Sequence, residues 1–218
     1  MSPKISIIMP IYNGIEFISE SVGSIIKQTY SDWELIIGIN GHPQNSDVYK
    51  IAKYFETIDT RICVYDLFEI RGKANASNEM IRFCLGDYIA ILDVDDIWHE
   101  KKLELQIPFL YDYDVIGARC VYFGDLNGNV PDIPTGDISE FDFTRFNPVI
   151  NSSSLIRKEL CFWNENGIED YDLWLRLRKQ NKRFYNCSQI SVKHRIHQSS
   201  AFNSKGHHEQ LQNLLGKS

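Results

Sequence analysis

Asp93-Val94-Asp95-Asp96 places three carboxylates within four residues, directly after the apolar run Tyr88–Leu92. Charges so close repel one another and raise each other's proton affinity unless a cation sits among them. Hard oxygen donors suit Mg2+ or Mn2+, ions that keep waters and bridge to substrate phosphates. The same residues also read as an acidic loop capping the next helix. A second acidic cluster, Glu169-Asp170-Tyr171-Asp172, opens an amphipathic segment. Asp170 reads as an N-cap carboxylate, or, in a partly desolvated cleft, as a general base for a hydroxyl proton. The two roles are compatible, because capping fixes the carboxylate's orientation.

Other side chains carry similar double readings. His197, in Arg195-Ile196-His197, suits a metal ligand, a donor to phosphate, or a surface or capping histidine. Arg71 and Lys73 precede a helical segment and suit either phosphate contact or solvated charge. Tyr12 and Trp98 suit stacking on a base or sugar, or packing in the core. The basic run Arg176, Arg178, Lys179, Lys182, Arg183 reads as a solvated helix face, or as a contact for anionic lipid or a phosphorylated acceptor.

The elements that must position these groups alternate between strand and helix over the first ~95 residues, as in a parallel α/β sheet. Lys4–Met9, Trp33–Ile39, Arg61–Tyr65 and Tyr88–Leu92 read as strands. Ile18, Val22, Ile25 and Ile26 share one helical face. Val48–Ile58 and Lys73–Cys84 read as further helices, and Gly86 ends the latter. Beyond Asp96 the pattern loosens. Glu100–Leu110 predicts a helix that Pro108 shortens. Val115–Phe123, Asn151–Ile156, Arg183–Asn186 and Ile190–Lys193 read as strands, Asp125–Gly136 as a loop or hairpin tip, and Asp170–Gln180 and Gly206–Leu215 as helices. Ligands of open α/β sheets sit beyond the carboxyl ends of the strands, which gathers Tyr12, Asn13, Asn40 and Asp93–Asp96 around one crevice.

With 218 residues the chain has room for one well-buried core. A net charge of −6 argues against a nucleic-acid partner, which needs a basic surface. No apolar run approaches the ~20 residues of a membrane span, and the start does not read as a signal peptide. Five cysteines without a C-x-x-C pair read as reduced thiols of a cytoplasmic protein. Membrane association is then expected only as peripheral contact.

Taken in order, the pieces resemble family 2 glycosyltransferases. They are Ile5–Asn13, Ile25–Ile36, Asn78, Gly86–Asp96, Asn147-Pro148, Ser152–Ser154, Glu169–Leu177 and Arg195–Ser200. The match runs over about residues 4–200. The resemblance implies a GT-A fold: a Rossmann-like, mixed but mostly parallel sheet flanked by helices, in a single domain over 1–218. Residues 1–96 would form the nucleotide-sugar half and 97–218 the acceptor half. It implies that Asp95 binds Mn2+ or Mg2+, with Asp93 near ribose and metal and His197 as a further ligand. Pro10, Tyr12, Asn13, Asn40, Arg71, Lys73 and Val94 would contact the nucleotide. Asp170 matches the catalytic base, and Glu169, Trp98, Ser153 and Arg195 fall at acceptor or accessory positions. The implied reaction moves a sugar from a nucleotide-diphosphate sugar, UDP-linked by preference, to a hydroxyl of a glycan, lipid-linked or protein acceptor. Configuration inverts, since one displacement needs one base.

Three departures matter. Asn40 stands where the family carries a carboxylate, and an amide both accepts and donates. Ser77 replaces an arginine, a loss for which Arg71 or Lys73 would compensate. The chain also ends soon after the His197 motif, as a minimal enzyme or an excised domain would. Two other readings compete with transfer: a non-catalytic sugar-nucleotide or glycan-binding module, and a nucleotidyltransferase, which the lack of a Gly-rich phosphate loop after the first strand disfavours.

Overall fold

A computed structural model describes residues 4–165 and 168–197. Among these described residues nine strands form one sheet: β1 (Ile5–Ile11), β2 (Trp33–Asn40), β3 (Ile62–Leu67), β4 (Tyr88–Ile91), β5 (Ile97–Trp98), β6 (Val115–Gly124), β7 (Gly136–Asp137), β8 (Leu155–Arg157) and β9 (Phe184–Ile196). Their order is β3-β2-β1-β4-β8-β6-β9-β5, with β7 also on β9. The long ladders are parallel: β1 with β2 and β4, β2 with β3, and β6 with β9. The antiparallel ones, around β8 and at β5 and β7, are only two or three residue pairs long. This is the mixed, mostly parallel sheet that the resemblance implies.

β1 explains how one strand builds two layers. Side chains alternate between faces. Ile5, Ile7, Met9 and Ile11 pack into one core with Ile18, Val22 and Ile25 of α1 (Ile18–Ile26) and Ala52 of α2 (Asp47–Lys53). Ile8 enters the other core, with Ala74, Ala76 and Met80 of α3 (Lys73–Ile81). Leu173, Trp174 and Leu177 of α5 (Glu169–Lys179) join that second layer. Because β2 and β4 flank β1, the strand order reverses there, and a crevice opens at their carboxyl ends.

The differences from expectation lie mostly in the second half. Pro108 limits the predicted helix to α4 (Lys102–Gln106), followed by a 3-10 turn at Ile107–Phe109. Asn151–Ser153 is a 3-10 turn and only Leu155–Arg157 is strand. The two short strands expected within 183–193 are one 13-residue strand, β9. The predicted helix over Gly206–Leu215 lies outside the described residues. Among the described residues, no helix is long and apolar enough to cross a membrane. All five cysteines are free.

Candidate active site

The crevice has a volume of about 780 Å³, and its walls come from the ends of β1, β2, β4 and β9 and the start of α3. At one end β1 runs into Tyr12-Asn13-Gly14. Gly14 takes φ +86°, and a Cβ there would lie 3.0 Å from Val94 Cγ1. Gly41 takes φ +78° beneath the Tyr12 ring, which a Cβ would meet at 2.8 Å. Only glycine satisfies both demands at low cost. His42 Nε2 lies 2.5 Å from Tyr12 O, so the two loops are tied together. Tyr12 stays 57% exposed, an aromatic face open to the crevice, whereas Asn40 is buried at the end of β2. Pro10, Asn13 and Arg71 line the same end.

The acidic motif divides into three environments. Asp93 receives Lys73 Nζ at 2.5 Å and Asn151 Nδ2 at 3.0 Å, while its backbone N–H donates to Ser152 Oγ at 3.1 Å. Burial would raise its pKa, but the charge and hydrogen bond of Lys73 hold it below the usual range. Burial alone would lower that of Lys73, but Asp93 raises it. Asp95 differs. Burial, then the charges of Asp96 and Asp93, raise its pKa, and His197 Nε2, 3.0 Å from Asp95 Oδ2, opposes them. Asp96 is fully buried. It accepts from the Arg195 N–H at 2.8 Å and meets His194 Nδ1 at 2.9 Å.

His194 lines the crevice too, and sequence reading missed it. Burial alone would lower its pKa, yet the hydrogen bond and charge of Asp96, with Asp93 and Asp95 beyond, push it up to about 9. Next to it, Arg195 is sandwiched between Phe17 and Phe123, its guanidinium carbon 4.3 Å from each ring centroid. It donates to Asp95 O at 2.9 Å and to Glu20 at 3.1 Å. This arginine braces the motif's backbone.

Asp170 sits in a small recess, about 30 Å³, shared with Ser77, Asn151, Trp163 and Glu169. Lys73 lines both the recess and the crevice. Burial raises the pKa of Asp170 and Lys73 counters it. Asp170 is the second residue of α5; the cap position is Ile168, without a side-chain cap bond.

Two expected accessory residues do not reach the site. Trp98 is in the core, its Nε1 donating to Ser152 O at 2.6 Å. Ser153 is fully buried, donating to Ile150 O at 2.7 Å and accepting from Ala118 N at 3.0 Å. The serine run is a polar knot that satisfies buried backbone groups.

Among the described residues no three His, Cys, Asp or Glu side chains cluster as a ready metal cage. Asp95 and His197 nevertheless present an oxygen and a nitrogen donor side by side on the crevice wall. That pair fits a divalent ion that completes its shell with waters and phosphate oxygens. Asp93 is otherwise engaged, by Lys73 and Asn151.

The profile of Glycosyl transferase family 2 matches residues 6–203. The chain belongs to this family. It is a glycosyltransferase, and its similarity to known members extends over most of its length. It is 32% identical over 219 residues to UDP-Glc:alpha-D-GlcNAc-diphosphoundecaprenol beta-1,3-glucosyltransferase WfgD of Escherichia coli, covering 92% of this chain and 80% of that protein. It is 29% identical to the O-antigen biosynthesis glycosyltransferase WbnJ of the same species, covering 90% and 81%. The glycosyltransferase fold is similar to that of S. aureus TarS 1-349 in complex with UDP-GlcNAc, at TM-score 0.78 and 16% identity over 97% of this chain. The Pyrobaculum calidifontis mannosyltransferase PcManGT, in complex with GDP-Man and Mn2+, superposes at 0.68 with 16% identity over 96% of this chain. The chain spans 65% and 60% of those two structures, less than two thirds of each.

Proposed function

We propose that this chain moves a sugar from a nucleotide-diphosphate sugar to an acceptor hydroxyl with inversion, in the assembly of a lipid-linked polysaccharide. One observation carries the reading: the crevice holds the Asp95–His197 and Asp93–Lys73 pairs, and Lys73 also lines the Asp170 recess beside it. The base and ribose would lie at the Pro10, Tyr12, Asn13, Asn40 and Arg71 end, in the half up to residue 96. Val94, Asp93 and Lys73 would follow along the diphosphate, and the acceptor would enter from the Glu169–Asp170 side, in the half from 97 onward. Asp95 and His197 would hold Mn2+ or Mg2+. The ion, when bound, would neutralise charge on the departing diphosphate.

Asp170 accepts the proton of the attacking hydroxyl. Burial raises its affinity for that proton, while the charge of Lys73 favours the ionised carboxylate. A UDP-sugar is favoured as donor because the 32% identical relative is named for UDP-Glc, and a lipid diphosphate acceptor because the same name specifies one. Such an acceptor would bring the chain to the cytoplasmic face of a membrane as a peripheral protein.

The test incubates UDP-glucose, Mn2+ and GlcNAc-diphospho-polyprenol with wild type and with Asp170→Asn and Asp95→Ala. The expected outcome is a β-linked product from wild type and loss of transfer by at least about 100-fold in each variant. An α-linked product would sink the inverting mechanism, and full activity in either variant would remove that residue from its role.

A further inference from the structure

We propose that Asn147 is a positioning residue that fixes which oxygen of Asp170 takes the acceptor's proton. The inference rests on Asp170 being the base. Asn147 Oδ1 accepts from the Val149 N–H at 3.1 Å. That bond sets the amide's orientation and turns Nδ2 toward Asp170 Oδ2, 3.1 Å away. An NH2 group only donates. Asp170 Oδ2 must therefore accept, which makes it the less basic oxygen and favours Oδ1 for a proton arriving from the acceptor hydroxyl. The hydroxyl's O–H bond breaks as the new Oδ1–H bond forms, and the electron pair left on the acceptor oxygen becomes the nucleophile.

The loop that delivers Asn147 is anchored from beneath. Asn186 of β9, fully buried, donates to Pro148 O at 2.9 Å and to Pro134 O at 2.8 Å. Val149 is buried in the core. The amide is thus held against the base by packed chain. The charged groups that face Asp170 from other elements are Lys73 of α3 and Asp93 beyond β4, with Glu169 beside it on α5.

Asn147→Asp is the decisive variant. It keeps an oxygen for Val149 N–H and replaces the donor facing Asp170 with an acceptor. The expected result is a melting temperature a few degrees below wild type, because facing carboxylates cost stability at neutral pH, with an unchanged donor KM and a kcat lowered about 10- to 100-fold, the value of one hydrogen bond to a charged group. The acidic limb of kcat/KM should also move to higher pH, because two facing carboxylates raise each other's pKa. Asn147→Ala, whose missing amide leaves Asp170 with the Tyr171 N–H but without its side-chain donor, should lower kcat at unchanged donor KM and so gives the same reading should the first variant fold poorly. Wild-type kcat and pH profile in both variants, with Asp170→Asn inactive, would overturn this proposal alone. Transfer retained by Asp170→Asn would overturn the base assignment and this proposal with it.

Discussion

His194 sits on the crevice wall with its Nδ1 against Asp96, and the burial of Asp96 makes this pair sensitive to pH. Its pKa in the folded chain is about 9, against about 6.5 unfolded. A raised pKa contributes stability that is complete below the unfolded value and is lost as pH rises through the folded one. Wild type should therefore melt several degrees above His194→Gln near pH 6, and the gap should close between about pH 6.5 and 9. A gap that is constant with pH would mean that shape, not charge, holds this residue. Under the proposed function Lys73 would act on both the donor and Asp170. Its side chain is about half exposed, so its ion pair with Asp93 contributes little to stability. Lys73→Met should leave the melting temperature nearly unchanged, raise donor KM by about tenfold, leave Asp93 with Asn151 alone and move the acidic limb of the rate profile to higher pH, since Asp170 loses the cation that lowers its pKa. Steady-state kinetics with varied donor checks this. At this scale the Asp93–Asp96 spacing was legible because its residues are neighbours in sequence. The partners that define their roles were not: His194, Asn151 and Asn147 meet their carboxylates across 98, 58 and 23 residues. No local pattern encodes such distances.

Elements divide the same way. β1, β2, β3 and β4 are apolar, β-branched runs separated by helical periods, so their existence and order were readable. β5 and β7 have two residues each, too few to show any period, and exist only because β9 offers an edge. β9 was read as two pieces because Ser188, Gln189 and Ile190 are exposed where its register against β6 shifts. Asn186 shows what this long strand does for the site. Its amide holds the Pro134 and Pro148 carbonyls, so one side chain ties two loops to the same strand. Asn186→Ala would leave both carbonyls without this donor. The cost is about 1–3 kcal/mol for each group left buried and unpaired. The melting temperature should drop by several degrees, and limited proteolysis should open the 125–136 loop first. Resistance equal to wild type would show that other contacts anchor these loops.

Across the whole molecule, the fold follows from the reversal of strand order at β1, and the site from what that reversal gathers. Net charge is −6, yet the crevice collects Arg71, Lys73, His194 and Arg195. Part of that positive charge is already balanced by Asp93, Asp96 and Glu20. A diphosphate alone would meet Asp95, whose pKa is raised by burial and by neighbouring carboxylates, and would be repelled once it ionises. A divalent cation at Asp95 and His197 would reverse the sign of that contact. Nucleotide and metal should therefore bind cooperatively. UDP at about 100 times its Kd with Mn2+ adds about 2.7 kcal/mol of apparent stability. For a chain of this size that raises the melting temperature by about 5–10 °C. UDP with EDTA, or Mn2+ alone, should give a small fraction of the shift, and Asp95→Ala should lose the cooperative part while keeping its own baseline stability. An equal shift with EDTA would place the diphosphate on the basic side chains directly and remove the metal from donor binding.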